Sequence, residues 1–362
     1  MTYDTSKTHT TKRIVVEKKV RTASDRFIVT GGAGFIGANL VRALNERGYG
    51  RIIIVDNINH PAKDANLKRL RFEEYIDKTE FRSRLTDGRI PKVGCVFHLG
   101  ACSSTTETNE AYLWDNNYRY TRDLCTWSLR EGARFVYASS AATYGDGGRG
   151  YCDDDAVTPL LEPLNLYGRS KQTFDLWALK SGAIRRIAGL KYFNVYGPWE
   201  DHKGEMRSLV NKAYAQILET GEISLFRSHR PEYSDGEQDR DFIYVGDAVS
   251  VTLFFFDHPE VSGLFNCGTG QARTWIDLAK ALFAAMEMPP TIRFIDMPES
   301  IRDNYQYHTQ ADMQKLRRAG YTTPFVSIED GVRRYVHEHL SLSSGADGQR
   351  QSDASGEGDH LP

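Results

Sequence analysis

The 362-residue sequence contains few cysteines and no pair of them spaced as CxxC. The five cysteines are scattered along the chain, at Cys95, Cys102, Cys125, Cys152 and Cys267. This spacing argues against a disulfide scaffold or a zinc site and fits a reducing cytosol. The sequence therefore predicts a cytoplasmic protein without a metal centre.

The sequence also lacks an excess of either charge and any long hydrophobic run. Its formal net charge is −2 and the two signs are interspersed, so neither nucleic acid nor an anionic membrane is expected as a partner. The most hydrophobic stretch, residues 249–256, is too short to span a bilayer and is flanked by Asp247 and Asp257. It is typical of a core helix. Residues 1–12 have no apolar signal core, which disfavours secretion.

Hydrophobic periodicity divides the chain into four parts. Residues 1–24 are predicted to be a flexible extension, and the Ser-, Gly- and Asp-rich residues 341–362 a disordered tail. Residues 25–195 alternate strand and helix patterns, including a helix at 65–76 and a long amphipathic helix at 109–131. This order predicts an α/β fold with a doubly wound parallel sheet. Residues 196–340 predict a smaller α+β substrate region that exchanges segments with the first domain.

A glycine-rich segment, IVTGGAGFIG at residues 28–37, joins the first predicted strand to a helix. Its Gly31, Gly34 and Gly37 lie three residues apart, which allows a tight turn, close approach of a pyrophosphate, and helix–strand packing. Free N–H groups at the helix start attract the anion. The second predicted strand ends in Asp56, about 20 residues later, as in dinucleotide-binding units.

A second motif, Tyr-Gly-Arg-Ser-Lys, places Tyr167 and Lys171 on one face of a predicted helix. In this geometry an ammonium group can lower the pKa of a phenol, which makes a tyrosinate base available near neutral pH. Ser140 follows another predicted strand, where its hydroxyl can bond a substrate oxygen beside the tyrosine. The alternative role of Ser140 is a turn cap. The combination predicts a catalytic Ser, Tyr and Lys.

Several motifs resemble those of the extended short-chain dehydrogenase/reductase family. They are TGGAGFIG, FHLGA, SSAATYG and YGRSK. Further segments are similar to the ADP-L-glycero-D-manno-heptose 6-epimerase family within it: GACSSTTE, DNNY, KYFNVYGP, HKGEM, RDFIYVGD, FNCGTG and YQYHTQADM. The matching segments lie in order between about residues 26 and 340.

The resemblance implies an epimerase that acts on a nucleotide-activated heptose. Such enzymes oxidise C6 to a ketone and reduce its opposite face, using a tightly bound nicotinamide cofactor without net turnover. The acid/base groups implied are Tyr167 and Lys203. Outside the family context, Lys203 is an ordinary surface or phosphate-binding lysine. Members of the family are homo-oligomers, so a homo-oligomer is expected.

The resemblance also implies a set of cofactor contacts in addition to the three glycines. These are Phe35, Ile36, Asp56, Asn57, Lys63, Lys78, Leu99, Gly100, Ala101, Cys102, Ser103, Asn116, Lys171 and Val195. Lysines near the ribose favour a 2′-phosphate, whereas Asp56 alone favours an unphosphorylated ribose. The family favours NADP, and NAD stays open.

The substrate positions implied by the resemblance follow the first domain. They are Asn194, Glu205, Lys212, Phe226, Arg227, Ser228, His229, Arg240 and Tyr305. Arg240 suits a diphosphate because its guanidinium offers bidentate bonds, although a salt bridge to Asp241 or Asp247 is its alternative role. Glu205 stands where a serine is common, and its carboxylate would repel a diphosphate or hold Lys203 by charge.

Two alternative functions stay open, and a third is disfavoured. A 4-epimerase of another nucleotide sugar fits the same residue types, and so does a catalytically silent cofactor-binding homologue. The latter would have no need for Ser140, Tyr167 and Lys203. A 4,6-dehydratase is disfavoured because Ala141 and Ala142 stand where an acid pair is required.

Overall fold

The computed structural model describes residues 25–302 and 305–342, which contain twelve strands and twelve α-helices. The strands are β1 (Phe27–Thr30), β2 (Ile52–Asp56), β3 (Glu74–Asp77), β4 (Cys95–His98), β5 (Arg134–Ser140), β6 (Ala188–Tyr192), β7 (Asn194–Tyr196), β8 (Ile223–Phe226), β9 (Asp239–Tyr244), β10 (Gly263–Cys267), β11 (Ala272–Thr274) and β12 (Ile292–Ile295). The helices are α1 (Phe35–Glu46), α2 (Pro61–Leu67), α3 (Lys78–Thr86), α4 (Glu110–Leu113), α5 (Tyr120–Arg130), α6 (Leu166–Lys180), α7 (Leu209–Thr220), α8 (Val245–Asp257), α9 (Trp275–Ala285), α10 (Glu299–Arg302), α11 (Gln314–Arg318) and α12 (Ile328–Tyr335).

The central sheet has seven strands in the order β10-β6-β5-β4-β1-β2-β3. Every neighbouring pair in it is parallel. The predicted α/β fold with a doubly wound parallel sheet is therefore confirmed. The remaining strands form a three-stranded sheet, β11-β9-β7, and a two-stranded sheet, β12-β8.

Both faces of the central sheet are buried, which explains the continuous apolar runs in its strands. Phe27 and Val29 of β1 pack on one face, together with α1 and α8. Ile28 packs on the other face, against α5 and α6. The stretch expected to be a core helix is thus α8, in which Val251 and Phe255 are fully buried. No helix in the described part of the chain is long and apolar enough to cross a membrane.

The prediction of a helix at residues 65–76 is wrong. Helix α2 ends at Leu67, and residues 74–77 form strand β3, which pairs in parallel with β2 at the edge of the sheet. Only Ile76 of this strand is fully buried. Backbone hydrogen bonds hold a short, charged strand at a sheet edge, and such a strand has almost no hydrophobic pattern. Its charged residues therefore suggest the solvent-exposed face of a helix.

The chain returns to the central sheet late, because β10 comes from residues 263–267. The domain boundary near residue 195 stays a prediction. The predicted N-terminal extension, residues 1–24, lies outside the described residues, as do residues 343–362 of the predicted tail. Ser341, where the tail was predicted to begin, donates its hydroxyl hydrogen to the carbonyl of Val336.

A buried histidine links the ends of β1 and β4 to the helix beyond them. Nδ1 of His98 lies 2.7 Å from Oγ1 of Thr30, and its Nε2 lies 2.8 Å from Oγ1 of Thr121. The Thr121 hydroxyl donates its single hydrogen to the carbonyl of Asn117, so it must accept from Nε2–H. Nδ1 then accepts from Thr30. The imidazole is neutral, since burial lowers the pKa of His98 to about 3.

We expect His98 to make folding stability depend on pH. Its pKa falls from 6.5 in the unfolded chain to about 3 in the fold, so its contribution is complete above pH 6.5 and declines as the pH falls towards 3. Between pH 8 and pH 5 this one proton removes about 2 kcal/mol from the free energy of unfolding. Urea unfolding of His98→Gln should show a pH dependence weaker by that amount. His258→Gln, at an exposed imidazole, is the control. Equal pH dependence of His98→Gln and the wild type would contradict the assignment.

Candidate active site

The glycine turn after β1 brings backbone atoms of three segments into contact. Gly31 has a φ of +71°, and a Cβ atom there would lie 2.7 Å from the backbone nitrogen of Gly100. A Cβ atom at Gly37 would overlap the carbonyl oxygen of Gly31. Helix α1 begins at Phe35 without a side-chain cap, which leaves its first N–H groups free for an anion. The turn thus has the steric and electrostatic properties of a pyrophosphate site.

A cleft of about 420 Å³ opens at this turn, at the carboxyl ends of the parallel strands. Fifteen of the predicted cofactor residues line it: Gly31, Gly34, Phe35, Ile36, Gly37, Asp56, Asn57, Lys63, Lys78, Leu99, Gly100, Ala101, Cys102, Ser103 and Asn116. Two predicted cofactor residues do not line the cleft. Val195 packs against the hydrophobic core, and Lys171 is buried behind the cleft wall, where its Nζ donates to the carbonyl of Ala138 at 2.8 Å.

Asp56 is already neutralised by a lysine. Its Oδ1 accepts from Lys63 Nζ at 2.9 Å and from the backbone of Asn57, and its Oδ2 accepts from the backbone of Ala33. The Lys63 ammonium also donates to the carbonyl and side-chain oxygens of Asn57. Both partners of the ion pair are largely buried, with side chains 14% and 7% exposed. Because the carboxylate is paired, a second anion near the ribose would not meet an uncompensated negative charge.

A π-helical segment at Trp114–Arg119 interrupts the long helix formed by α4 and α5. Single π turns of this kind occur often at functional sites. This segment presents Asn116 to the cleft, where its Oδ1 accepts from Lys78 Nζ at 2.9 Å. The neighbouring Asn117 exchanges hydrogen bonds with the backbone of Cys102 and donates to Ser170 on α6. The π segment thus joins the end of β4 to the helix that carries Tyr167.

Tyr167, Ser140 and Lys171 lie together at the end of β5. The Ser140 hydroxyl accepts from the backbone of Ala142 at 3.1 Å, so it does cap the following turn, and it also bonds the Tyr167 phenol. Lys171 Nζ lies 6.0 Å from the centre of the Tyr167 ring. Burial raises the pKa of Tyr167, and the Ser140 bond offsets this only in part. The expectation that Lys171 lowers the pKa of this phenol is therefore wrong. Burial lowers the pKa of Lys171 itself to about 8.

Lys203 enters the cleft from a short 3₁₀ segment, Asp201–Met206. Its ammonium lies 5.3 Å from the centre of the Phe35 ring at the start of α1. Burial lowers the pKa of Lys203, and the nearby carboxylate of Glu200 opposes this shift. Glu200 is fully buried and accepts from the backbone and hydroxyl of Ser208. A lysine in this environment can exchange a proton nearer to neutral pH than a solvated one.

Glu205 does not hold Lys203 by charge, contrary to one of the two roles considered for it. Its side chain is 93% exposed, and its carboxylate lies 4.0 Å from Lys212 Nζ. Lys212 also donates to the carbonyl of Glu205. A kink at Gly204, which has φ 54° and ψ −125°, lies between the two residues.

Arg240 has no salt bridge to Asp241 or Asp247 among the described residues. Its guanidinium is buried and donates instead to the carbonyls of Asp239 and Gln306. It also lies 5.1 Å from the centre of the Tyr305 ring. Buried charges in proteins are normally paired, so a buried arginine that bonds only carbonyls and rings can take an anionic partner. Asp241 instead accepts three backbone N–H groups, from Thr269, Gly270 and Ala311.

The other predicted substrate residues lie outside the lining of the cleft, in the C-terminal region. The segment 226–229 begins at the last residue of β8, and the backbone of His229 donates to the Tyr307 hydroxyl, next to the Tyr305 ring. The backbone of Ser228 donates to Asp235, and Arg227 lies 3.7 Å from Asp296. Asn194 is exposed at the start of β7. The structure thus brings the segment 226–229 and Tyr305 near one another, through Tyr307.

Sequence reasoning missed several residues that line the cleft. These are Thr30, Val55, Asn59, Ser104, Tyr112, Tyr120, Ala138, His202 and Met206. The HKGEM motif contains two of them, His202 and Met206, whereas only its Lys203 and Glu205 were predicted to be site residues. The signal that would have found His202 is therefore its position next to a predicted cleft residue.

Comparisons with known proteins agree with this geometry. A sequence profile of the NAD dependent epimerase/dehydratase family matches residues 27–268. An ADP-L-glycero-D-manno-heptose-6-epimerase of Nitratidesulfovibrio vulgaris (strain DP4) is 52% identical over 318 residues, which cover 88% of this chain and 98% of the relative. The crystal structure of the Helicobacter pylori enzyme of that name superimposes with a TM-score of 0.72 at 26% identity, covering 88% of this chain and 97% of the other. The Thermotoga maritima UDP-glucose 4-epimerase gives 0.72 at 27% identity, covering 88% and 99%.

We expect Gly37→Ala to disrupt the glycine turn. Its Cβ would overlap a backbone oxygen and not the end of a flexible side chain, so overpacking should lower the free energy of unfolding by about 1–3 kcal/mol. Dinucleotide binding, followed by quenching of tryptophan fluorescence, should weaken at the same time. Gly50→Ala is the matched control, because Gly50 has open space around it and no positive φ. A Gly37→Ala variant with the stability and dinucleotide affinity of the control would contradict the steric argument.

Proposed function

We propose that this chain, which belongs to the NAD dependent epimerase/dehydratase family, interconverts ADP-D-glycero-D-manno-heptose and ADP-L-glycero-D-manno-heptose. It does so by inverting C6. The relative of 52% identity and the structural neighbour from Helicobacter pylori both carry the name of this activity. The chain is accordingly an isomerase. A 4-epimerase of another nucleotide sugar is not favoured, because the full-length relatives of high identity are heptose epimerases.

The observation that carries the proposal is an ionisable side chain, Lys203, that lines the cleft on an element separate from the helix of Tyr167. Tyr167 comes from α6 beside Ser140, whereas Lys203 comes from the 3₁₀ segment after β7. An inversion needs a proton removed from the hydroxyl of one configuration and delivered to the oxygen of the other. Two proton-handling side chains on separate elements meet that need.

The residues present fit a nicotinamide dinucleotide. No side chain fits between Gly31, Gly37 and Gly100, and helix α1 begins beside them without a side-chain cap, so that its first N–H groups can bind a pyrophosphate. The family is NAD-dependent by description, which supports a nicotinamide cofactor. When bound, this cofactor supplies a hydride acceptor and donor. We propose NADP, since Lys63 neutralises Asp56 and Lys78 adds a second positive charge at the cleft.

The directions of the two pKa shifts support the proton roles that we propose. Because burial raises the pKa of Tyr167, its phenol is protonated at neutral pH and acts as the proton donor. Burial lowers the pKa of Lys203, which favours this lysine as the proton acceptor. Lys203 takes the proton of the C6 hydroxyl as the ketone forms, and Tyr167 delivers its proton to the C6 oxygen as the ketone is reduced. Exchange with solvent restores both groups, and the reverse reaction exchanges their roles.

Neighbouring residues orient the substrate for these transfers. The Ser140 hydroxyl, which already bonds the Tyr167 phenol, can donate to the same C6 oxygen. The buried Arg240 guanidinium is proposed to bind the diphosphate, with Tyr305 alongside it. The segment 226–229, Asn194 and Lys212 are proposed to contact the substrate. Glu205, whose carboxylate points to solvent, is proposed to act only through Lys212. Homo-oligomeric assembly and a cytoplasmic location stay predictions.

The proposed function is tested with Tyr167→Phe. Wild-type protein incubated with ADP-D-glycero-D-manno-heptose should give an NMR spectrum in which only C6 is inverted. Tyr167→Phe should lose at least 100-fold in rate, because general acid–base groups contribute about 10²- to 10⁴-fold. It should keep its bound cofactor. Tyr49→Phe is the control, because this ring packs on Phe27 at the opposite end of β1. Inversion at another carbon, or near-normal turnover of Tyr167→Phe, would contradict the proposal.

The choice of NADP is tested through Lys63. Denaturing the purified protein should release NADP, and Lys63→Met should weaken NADP binding by roughly 10- to 100-fold, the effect of one charge-assisted bond. Its affinity for NAD should change much less, since NAD lacks the 2′-phosphate. The control is Lys68→Met, whose ammonium is exposed and pairs with Asp64 one turn away. Release of NAD from the wild type, or equal losses for both nucleotides, would show that Lys63 does not select the phosphate.

A further inference from the structure

The segment 198–206, called the strap below, is tied to the glycine turn by buried side chains. The Asn39 amide donates to the carbonyl of Pro198 at 3.0 Å, and the Asn66 amide donates to the carbonyls of Trp199 and Ala33. At the other end, the carboxylate of Glu200 accepts from Ser208. All three anchoring side chains are buried. The strap is therefore fixed over the start of α1.

Trp199 shows how firmly the strap is held. It has a φ of +75°, which is unfavourable for a residue with a side chain. Its ring is buried, and the guanidinium groups of Arg42 and Arg69 lie 4.8 and 5.8 Å from its centre. Strained conformations persist only where the surrounding contacts outweigh their cost, and they are frequent at ligand clamps.

The strap reaches across the cleft to the loop that follows β4. Lys203 lies over the Phe35 ring, and Thr105 Oγ1 lies 4.0 Å from the sulfur of Met206. His202, Lys203 and Met206 all line the cleft. A dinucleotide at the glycine turn would thus lie beneath the strap, with one wall formed by the residues after β4.

His202 is the residue of the strap that faces the glycine turn. A Cβ atom built at Gly34 would lie 3.7 Å from its Nε2. Its Nδ1 is buried and has no hydrogen-bond partner among the described residues. A hydrogen on Nδ1 would therefore have no acceptor, which places the hydrogen on Nε2, the side of the turn. Burial and the charges of Lys63 and Lys203 lower the pKa of His202 to about 4, so the ring is neutral at pH 7.

We propose that the strap retains the dinucleotide between turnovers, and that His202 Nε2–H donates a hydrogen bond to its pyrophosphate at the glycine turn. This inference rests on the proposed function, because an enzyme that removes a hydride and returns it must keep its cofactor until the ketone is reduced. His202 is a cofactor-binding residue in this account and takes no part in proton transfer. Lys203 is both a strap residue and a reacting group, so the strap couples cofactor retention to catalysis.

The test measures dissociation of NADP rather than activity. Protein loaded with radiolabelled NADP is chased with unlabelled NADP, and the bound label is followed over time. His202→Leu should release the label roughly 10- to 100-fold faster than the wild type, as expected for loss of a hydrogen bond to a charged group. His202→Gln keeps an N–H near the position of Nε2 and should stay within about threefold of the wild type. His337→Gln, at an exposed histidine on the helical segment after α12, is the control.

If His202→Leu does not fold, a further variant still tests the role of His202. In His202→Asn, the side-chain amide reaches only as far as the position of the histidine Nδ1. This variant should therefore release NADP faster than His202→Gln. Equal release from the Gln and Asn variants, or release from His202→Leu at the wild-type rate, would overturn the role of His202. Failure of the proposed function gives a different result, because wild-type protein would then bind no nicotinamide dinucleotide or would not invert C6.

Discussion

The contact between backbone atoms at Gly31, Gly37 and Gly100 is the constraint on which the rest of the site depends. It brings the ends of β1 and β4 and the start of α1 so close that no side chain fits between them. The cleft lies directly above this contact, and the residues after β4 form part of its wall. A chain of hydrogen bonds through Thr30 and His98 holds the same junction and ends at Asn117 in the π segment. The geometry of the cleft is therefore set by backbone packing.

The electrostatics of the site come from charged groups that are buried in pairs or networks. Lys63 compensates Asp56, and Glu200 limits the fall in the pKa of Lys203. Tyr167 has a raised pKa and Lys203 a lowered one, as the proposed roles of proton donor and proton acceptor require. The strap contributes to the electrostatics at Lys203 and at the cofactor site. Its buried Glu200 lies next to Lys203, and its His202 faces the glycine turn.

The fold follows from local sequence patterns and most of the cleft residues from the family resemblance, whereas the remainder depends on tertiary placement. The glycine spacing and the alternation of strands with helices predict the parallel sheet, and the helix at 109–131 corresponds to α4, the π segment and α5. Strand β3 was missed because backbone pairing at a sheet edge leaves no hydrophobic pattern. Glu205 was placed beside Lys203 from sequence proximity, but the kink at Gly204 separates them. His202 has no periodic signal, and only the path of the strap brings it to the turn.

The central claim is that the chain holds one cofactor, removes a hydride from C6 and returns it to the same carbon. The most direct measurement uses ADP-D-glycero-D-manno-heptose with deuterium at C6, incubated in ordinary water with purified protein and no added nucleotide. The account predicts ADP-L-glycero-D-manno-heptose that retains the deuterium at C6, as seen by NMR and mass spectrometry. A product with hydrogen from the solvent at C6, or inversion that requires added nucleotide in stoichiometric amount, would contradict it.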